Sequence, residues 1–328
     1  MRKRAGGGIA GQGTVFLPER RTGEIKNKRL LGSLLLLFTA MIWGTAFAFQ
    51  RAGRGAVEPF TFVAARMALS AAAVGIPAFL LDRGQARADA SAEERRRAGR
   101  RATLHGGICC GLLLGAASLF QQAGIMTTTA GKAGFITAMY MLLVPILELL
   151  LFRRRHGALV WTAVALGVAG LYLLCVTESF SLARGDALVC VCALLFAGHI
   201  LCCGRFAPHA DPLALSAIQF AAAALLAALA AALFEQPTWA KLLSALWPIL
   251  YCGLVSGGLG YTLQMIAQRH TDPTVASLLM SLESVFAVLA GALLLSERMS
   301  GREILGCALM FAAILLVQLP DVGKKRTE

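Results

Sequence analysis

The chain has 328 residues, 57% of them hydrophobic and 15% charged, with a mean hydropathy of +0.68 and a formal net charge of +13. A soluble surface needs roughly 25% charged residues, so this composition excludes a soluble globular protein and indicates a membrane protein. The positive charge lies in short blocks between apolar runs, where it orients a chain in the bilayer, so nucleic acid is set aside as a partner.

The first 29 residues are polar, glycine-rich and basic, which predicts a disordered tail. The first apolar run begins near Leu30 and is too long and too far from the start for a cleaved signal peptide. With about 20 residues needed per crossing, spans are expected at 30–49, 59–81, 103–126, 130–152, 158–176, 185–203, 212–234, 244–268, 273–295 and 303–319. Pro59, Pro212 and Pro273 open three of them, where a missing N–H costs little. The loop from Asp82 to Arg101 is expected to form a short helix at the membrane surface, and residues 320–328 form a second basic tail. Nine cysteines lie almost entirely within apolar runs, without the paired spacing of a disulfide framework.

Lysine and arginine set the orientation. With the N-terminus inside, 23 of them fall on the cytoplasmic side and 7 on the other, so both termini are expected in the cytoplasm. The expected location is a bacterial cytoplasmic membrane.

The two halves of the chain echo each other. At a shift of 143 residues Gln121 meets Gln264, Thr128 meets Thr271, Ala133 meets Ala276 and Tyr140 meets Glu283; at a shift of 153, Pro59 meets Pro212 and Arg66 meets Gln219. The shift changes at one surface loop, which is longer in the first half. This pattern predicts an all-α membrane protein of ten transmembrane helices in two five-helix repeats, inverted because five is odd. Such repeats place a substrate site near the midplane and suit alternating access.

The residues also resemble a known family. "WGTAFAF" in the first helix, "EPFTFVAARMALSA" in the second, "TTTAGKAGFITAMYMLLVPIL" in the fourth and "SLESVFAVLAGALLLSERMSGREILGCALMFAAILLV" across the last two are similar to the EamA branch of the drug/metabolite transporter superfamily. The resemblance covers nearly all of 30–320 and implies repeats at 30–176 and 185–319. It implies a secondary transporter that exports amino acids or other small metabolites or drugs, with no cofactor. Helices 1, 3, 4, 6, 8 and 9 are expected to line its cavity and helices 5 and 10 to stand outside. Ser284 departs from the family pattern, which has proline there and a kink in helix 9.

Polar residues within spans supply the candidate site, because their desolvation must be offset by a partner or a cavity. Arg66 either contacts an anionic substrate group or serves structure and gating. Glu283 and Glu148 are the acidic residues well inside spans; both are candidates for proton coupling, and Glu148, one turn from Arg153, Arg154 and Arg155, is also read as an ion pair with them. Tyr140 either faces the site or bonds a neighbouring helix. Trp43, Gln121, Gln122 and Gln264 complete the candidate substrate-binding set, with Thr45 beside Trp43 in the family's tryptophan–glycine motif. Pro145 frees a carbonyl that cavity water or protein must satisfy, and Lys132 is read as snorkelling to the outer interface. His199 with Cys202 and Cys203 has metal-ligand spacing on one helix face, but further ligands are missing, so no metal is assigned. The expected partners are a small-molecule substrate and the lipid bilayer, with a homodimer admitted.

Two rival functions remain. An intramembrane enzyme would draw on His199, His209 and Asp211, yet no HExxH motif or nucleophile–base pair at helical spacing occurs. A passive channel would need repeated charged or carbonyl rings, which the sequence lacks.

Overall fold

In lipid, backbone N–H and C=O groups find no water, so an apolar chain satisfies them within helices. The computed structural model describes residues 19–52, 55–83, 90–127, 130–175, 184–294 and 300–318, and its long elements are all helices. Helices α1 (Glu19–Ala52), α2 (Pro59–Arg83) and α3 (Ala90–Ile125) are followed by α4 (Ala130–Ala138) and α5 (Tyr140–Phe152), which form one interrupted rod. Next come α6 (Ala158–Cys175), α7 (Arg184–Phe206) and α8 (Pro212–Phe234). A broken segment then runs through α9 (Trp239–Ser244), α10 (Leu246–Leu250), a π-helix over Tyr251–Tyr261 and α11 (Thr262–Gln268). Helices α12 (Pro273–Met280), α13 (Glu283–Leu294) and α14 (Gly301–Gln318) close the chain.

Among the described residues, seven stretches are long and apolar enough to cross a membrane: Asn27–Ala46, Pro59–Leu81, Gly99–Ile125, Ala133–Phe152, Arg184–His209, Pro212–Phe234 and Leu246–Gln268. Ala158–Leu174 and Pro273–Leu289 are shorter apolar helices.

Two boundaries differ from expectation. The basic segment expected to be disordered through residue 29 is helical from Glu19 onward, because it continues an apolar helix that has already met the cost of nucleation; residues 1–18 lie outside the described part. The loop after α2 does not form a separate surface helix, since its residues from Ala90 are the first turns of α3. Residues 84–89 and the tail 320–328 are not described.

Sequence chemistry explains several ends. Asp211 accepts a hydrogen bond from the Ala214 N–H at 2.8 Å and Asp272 one from Thr274 N–H at 3.0 Å, each capping a helix that opens with proline. The N-terminus of α2 is capped from afar: the Glu235 carboxylate accepts the N–H groups of Phe60 and Thr61 at 2.8 and 2.7 Å. A carboxylate is favoured at the positive end of a helix. Nearby, Lys241 pairs with Glu58, and this hydrogen bond holds the Glu58 carboxyl below the usual carboxylate range.

The first half of the chain packs mainly on the second. Helix α2 packs on α8 and α6 on α14; α3 lies against α7 and α8, and α1 against the π-helix, α11 and α13. Small residues allow this. Gly44 approaches α13 so closely that an added Cβ would sit 2.6 Å from the Glu283 carbonyl oxygen, a backbone contact that only glycine permits. Serine at 284 in place of the family's proline leaves no proline to kink helix 9, yet the rod still breaks at Ser281 and Leu282, between α12 and α13. The equivalent rod of the first half breaks at Met139, which the 143-residue shift places on Leu282.

Candidate functional site

Helices α1, α2, α3, α7 and α13, the α4–α5 rod and the segment from the π-helix to α11 surround a polar cavity. Trp43, Ala46 and Gln50 face it from α1, Arg66 from α2, Gln121 from α3, and Thr137 and Tyr140 from the α4–α5 rod. Phe196, His199 and Ile200 reach it from α7, Ser256 and Tyr261 from the π-helix, Gln264 from α11 and Glu283 from α13. The space open to water centres is about 40 Å³, enough for a few waters, so a metabolite requires the helices to separate.

The π-helix forms part of this wall, through Ser256 and Tyr261. Its longer hydrogen-bonded turn is uncommon and recurs at functional sites. Here it carries the glycine-rich stretch "YCGLVSGGLGY". Trp43 Nε1 donates to the Ser256 carbonyl at 3.1 Å, and its ring packs against Tyr261 with centroids 4.6 Å apart. Gly260 makes room for that indole: an added Cβ would lie 2.7 Å from Nε1.

Tyr140 donates its hydroxyl proton to Glu283 Oε1 at 3.2 Å. These two side chains, matched by the repeat shift, therefore touch each other. Gln121 Nε2 contacts Thr137 Oγ1 at 3.4 Å. Gln264 donates to Gln268, which donates to the Ile200 carbonyl, at 2.9 and 3.0 Å. Arg66 is 3% exposed and lies over the Phe62 ring, 6.0 Å from its centroid. Its Nε has no hydrogen-bond partner among the described residues, and neither does Gln50 Oε1 or Gln264 Oε1. No salt bridge joins Arg66 to Glu283 or to any other carboxylate within 4.0 Å among the described residues.

The cavity thus gathers Trp43, Arg66, Gln121, Tyr140, Gln264 and Glu283, and leaves out two candidates. Gln122 is buried but does not line it, because the residue after Gln121 points about 100° away around a helix. Glu148 is also removed from it. Its carboxylate contacts Arg154 Nη1 at 2.9 Å and His156 Nε2 at 3.0 Å and accepts the Thr274 hydroxyl at 2.7 Å, while Arg154 also pairs with Asp272. The ion-pair reading of Glu148 is therefore the one the geometry favours, and this cluster ties the end of α5 to the start of α12. Glu148→Gln is expected to lower stability by about 1–3 kcal/mol, below the full value for a buried pair because Arg154 is 47% exposed. Thermal unfolding in detergent reads this; an unchanged midpoint would make the cluster ornamental.

Thr45 does not line the cavity and bonds the Ile42 carbonyl at 2.8 Å and the Tyr251 hydroxyl. Asp211 is a helix cap and His209 is exposed, so they do not join His199 in a catalytic set. The Lys132 side chain lies outside the described residues. Helix α2 enters the lining through Arg66, which the expected set of lining helices omitted. His199, Ser256 and Tyr261 were not foreseen as cavity residues; Tyr261, an intramembrane tyrosine beside three glycines, carried a readable signal.

The EamA-like transporter family model matches residues 30–176 and 183–319. The chain belongs to the EamA-like transporter family. It is 27% identical over 296 residues to an uncharacterized transporter of Archaeoglobus fulgidus, covering 89% of this chain and 87% of that one. A crystal structure at 22% identity superposes with a TM-score of 0.68, covering 89% of this chain and 96% of the other, a likeness of fold. This EamA protein is an all-α integral membrane protein and a secondary transporter rather than an enzyme.

Proposed function

We propose that this EamA protein moves small zwitterionic metabolites of the amino-acid class, in the export direction, by alternating access between two inverted five-helix repeats. The observation that carries the reading is that Arg66 and Glu283 face one cavity without an ion pair between them. A buried arginine without a carboxylate is costly, and a substrate carboxylate would offset that cost by bidentate bonding. Glu283 and Tyr140 would receive the substrate ammonium, and Trp43 and Tyr261 supply aromatic faces.

The helix pairing supports the repeat. Exchange of the halves converts the α3–α8 contact into that between the π-helix and α2, and the α1–α13 contact into α7–α5, while α2–α8 and α6–α14 map onto themselves. Contact between matched Tyr140 and Glu283 supports the repeat too, since a pair related by an axis that exchanges the halves, and lying on it, would touch. On this reading all ten helical segments cross the bilayer, α6, α12–α13 and α14 included. Both termini then lie on the lysine- and arginine-rich side, the cytoplasm. Glu283 is the candidate proton carrier; Glu148 is held in its ion cluster away from the cavity.

Counterflow in proteoliposomes with a labelled panel of amino acids and other metabolites tests this. Saturable exchange of zwitterions by the wild type, lost in a folded Glu283→Gln variant, is the expected result. Exchange restricted to compounds lacking either charge would overturn the substrate class, and indifference to an imposed pH gradient would remove proton coupling.

A further inference from the structure

Spacing on α7 alone suggested His199 with Cys202 and Cys203 as ligands, and the tertiary structure changes that set. Cys110, 93 positions earlier on α3, meets Cys203 with its sulfur 3.8 Å away. His199 is one turn before Cys203, with its ring nitrogens 3.4 and 3.9 Å from the Cys203 sulfur. The ligand atoms of Cys110, His199 and Cys203 all lie within 4.8 Å of one another, and all three residues are buried. Cys202 packs against this group and its thiol interacts with that of Cys110, but it is not one of the three residues whose ligand atoms all lie within 4.8 Å of one another.

We propose that Cys110, His199 and Cys203 form a binding site for a soft divalent cation of the zinc class, which clamps α3 to α7. Two thiolates bound about 2.3 Å from one tetrahedral zinc are held about 3.8 Å apart, and a thiolate and an imidazole nitrogen about 3.5 Å apart. The Cys110–Cys203 separation matches the first edge, and His199 Nδ1, 3.9 Å from the Cys203 sulfur, needs to move only about 0.4 Å to meet the second.

Charge selects the ion. A divalent cation with two thiolates and a neutral imidazole is a neutral assembly, the form in which an ion is tolerated at membrane depth. A hard cation such as magnesium prefers oxygen ligands, and these three residues offer only sulfur and nitrogen.

The surroundings fit as well. Gln219 Oε1 lies 3.1 Å from His199 Nε2; accepting that proton leaves Nδ1 free to bind metal, the orienting contact that metal-bound histidines commonly have. His199 also lines the cavity, which gives an ion a polar route to a site otherwise enclosed by helices. Three protein ligands leave a fourth position open.

The test uses the purified full-length protein in detergent with a reductant present, and Co²⁺ as the spectroscopic probe. One Co²⁺ per chain with thiolate-to-cobalt charge-transfer absorption, displaced by Zn²⁺ and accompanied by a rise in thermal midpoint, is the expected result. The near-isosteric Cys110→Ser and Cys203→Ser variants lose the absorption and the rise, whereas Cys109→Ser with Cys190→Ser, which removes two exposed thiols, keeps both. No thiolate–cobalt absorption in the wild type would overturn the site whatever the variants do. Absorption that survives the loss of Cys110 and Cys203, or disappears with Cys109 and Cys190, would do the same.

Discussion

Arg66→Gln abolishes measurable exchange and leaves the protein at least as stable as the wild type. The guanidinium is 3% exposed, its Nε is unpartnered and no carboxylate lies within 4.0 Å among the described residues. A structural arginine would have such a partner, because a buried cation gains stability only when paired and hydrogen-bonded. Removing this charge therefore relieves a desolvation cost in the substrate-free protein, while a bound carboxylate loses its partner. The loss of a buried hydrogen-bonded charge pair is about 2–5 kcal/mol, or roughly thirtyfold or more in apparent affinity. Counterflow read beside thermal unfolding separates the roles: transport lost with stability kept assigns Arg66 to substrate, whereas parallel loss of both makes it structural.

Gly44→Ala acts in the opposite way, reducing transport more than tenfold and stability together. The added methyl would sit 2.6 Å from the Glu283 carbonyl oxygen and 2.8 Å from both Ala287 N and Phe286 Cβ. Two of those atoms are helix backbone, which cannot swing aside as a side chain can, so α1 and α13 must move apart. Overpacking of this kind costs about 1–3 kcal/mol, more than the helix-propensity gain of up to about 1 kcal/mol from replacing glycine. The movement separates Trp43, the neighbour of Gly44, from Glu283 across the cavity. Gly134→Ala is the control, since a Cβ there meets nothing within 4 Å; it should be neutral or slightly stabilising. Wild-type transport and stability in Gly44→Ala would show that the two helices do not need this close approach.

What the sequence determined by itself is what depends on local composition and on distance along the chain. Apolar length and flanking charge located the helical segments, because the bilayer tolerates little else at that depth. The shifts of 143 and 153 residues related the halves, and intramembrane polarity singled out Arg66, Tyr140 and Glu283, because a polar group in lipid requires a partner or a cavity. Tertiary structure decided how each helix is turned and which distant helices meet. Gln121 faces the cavity and Gln122 does not, a difference of one residue in helical phase that a uniformly apolar span leaves undetermined. Glu148 joined Arg154, His156 and Thr274 because α5 ends beside the start of α12. Cys110 joined His199 and Cys203 because α3 packs on α7 through small residues, a contact between segments that are separated in sequence and have no local pattern in common.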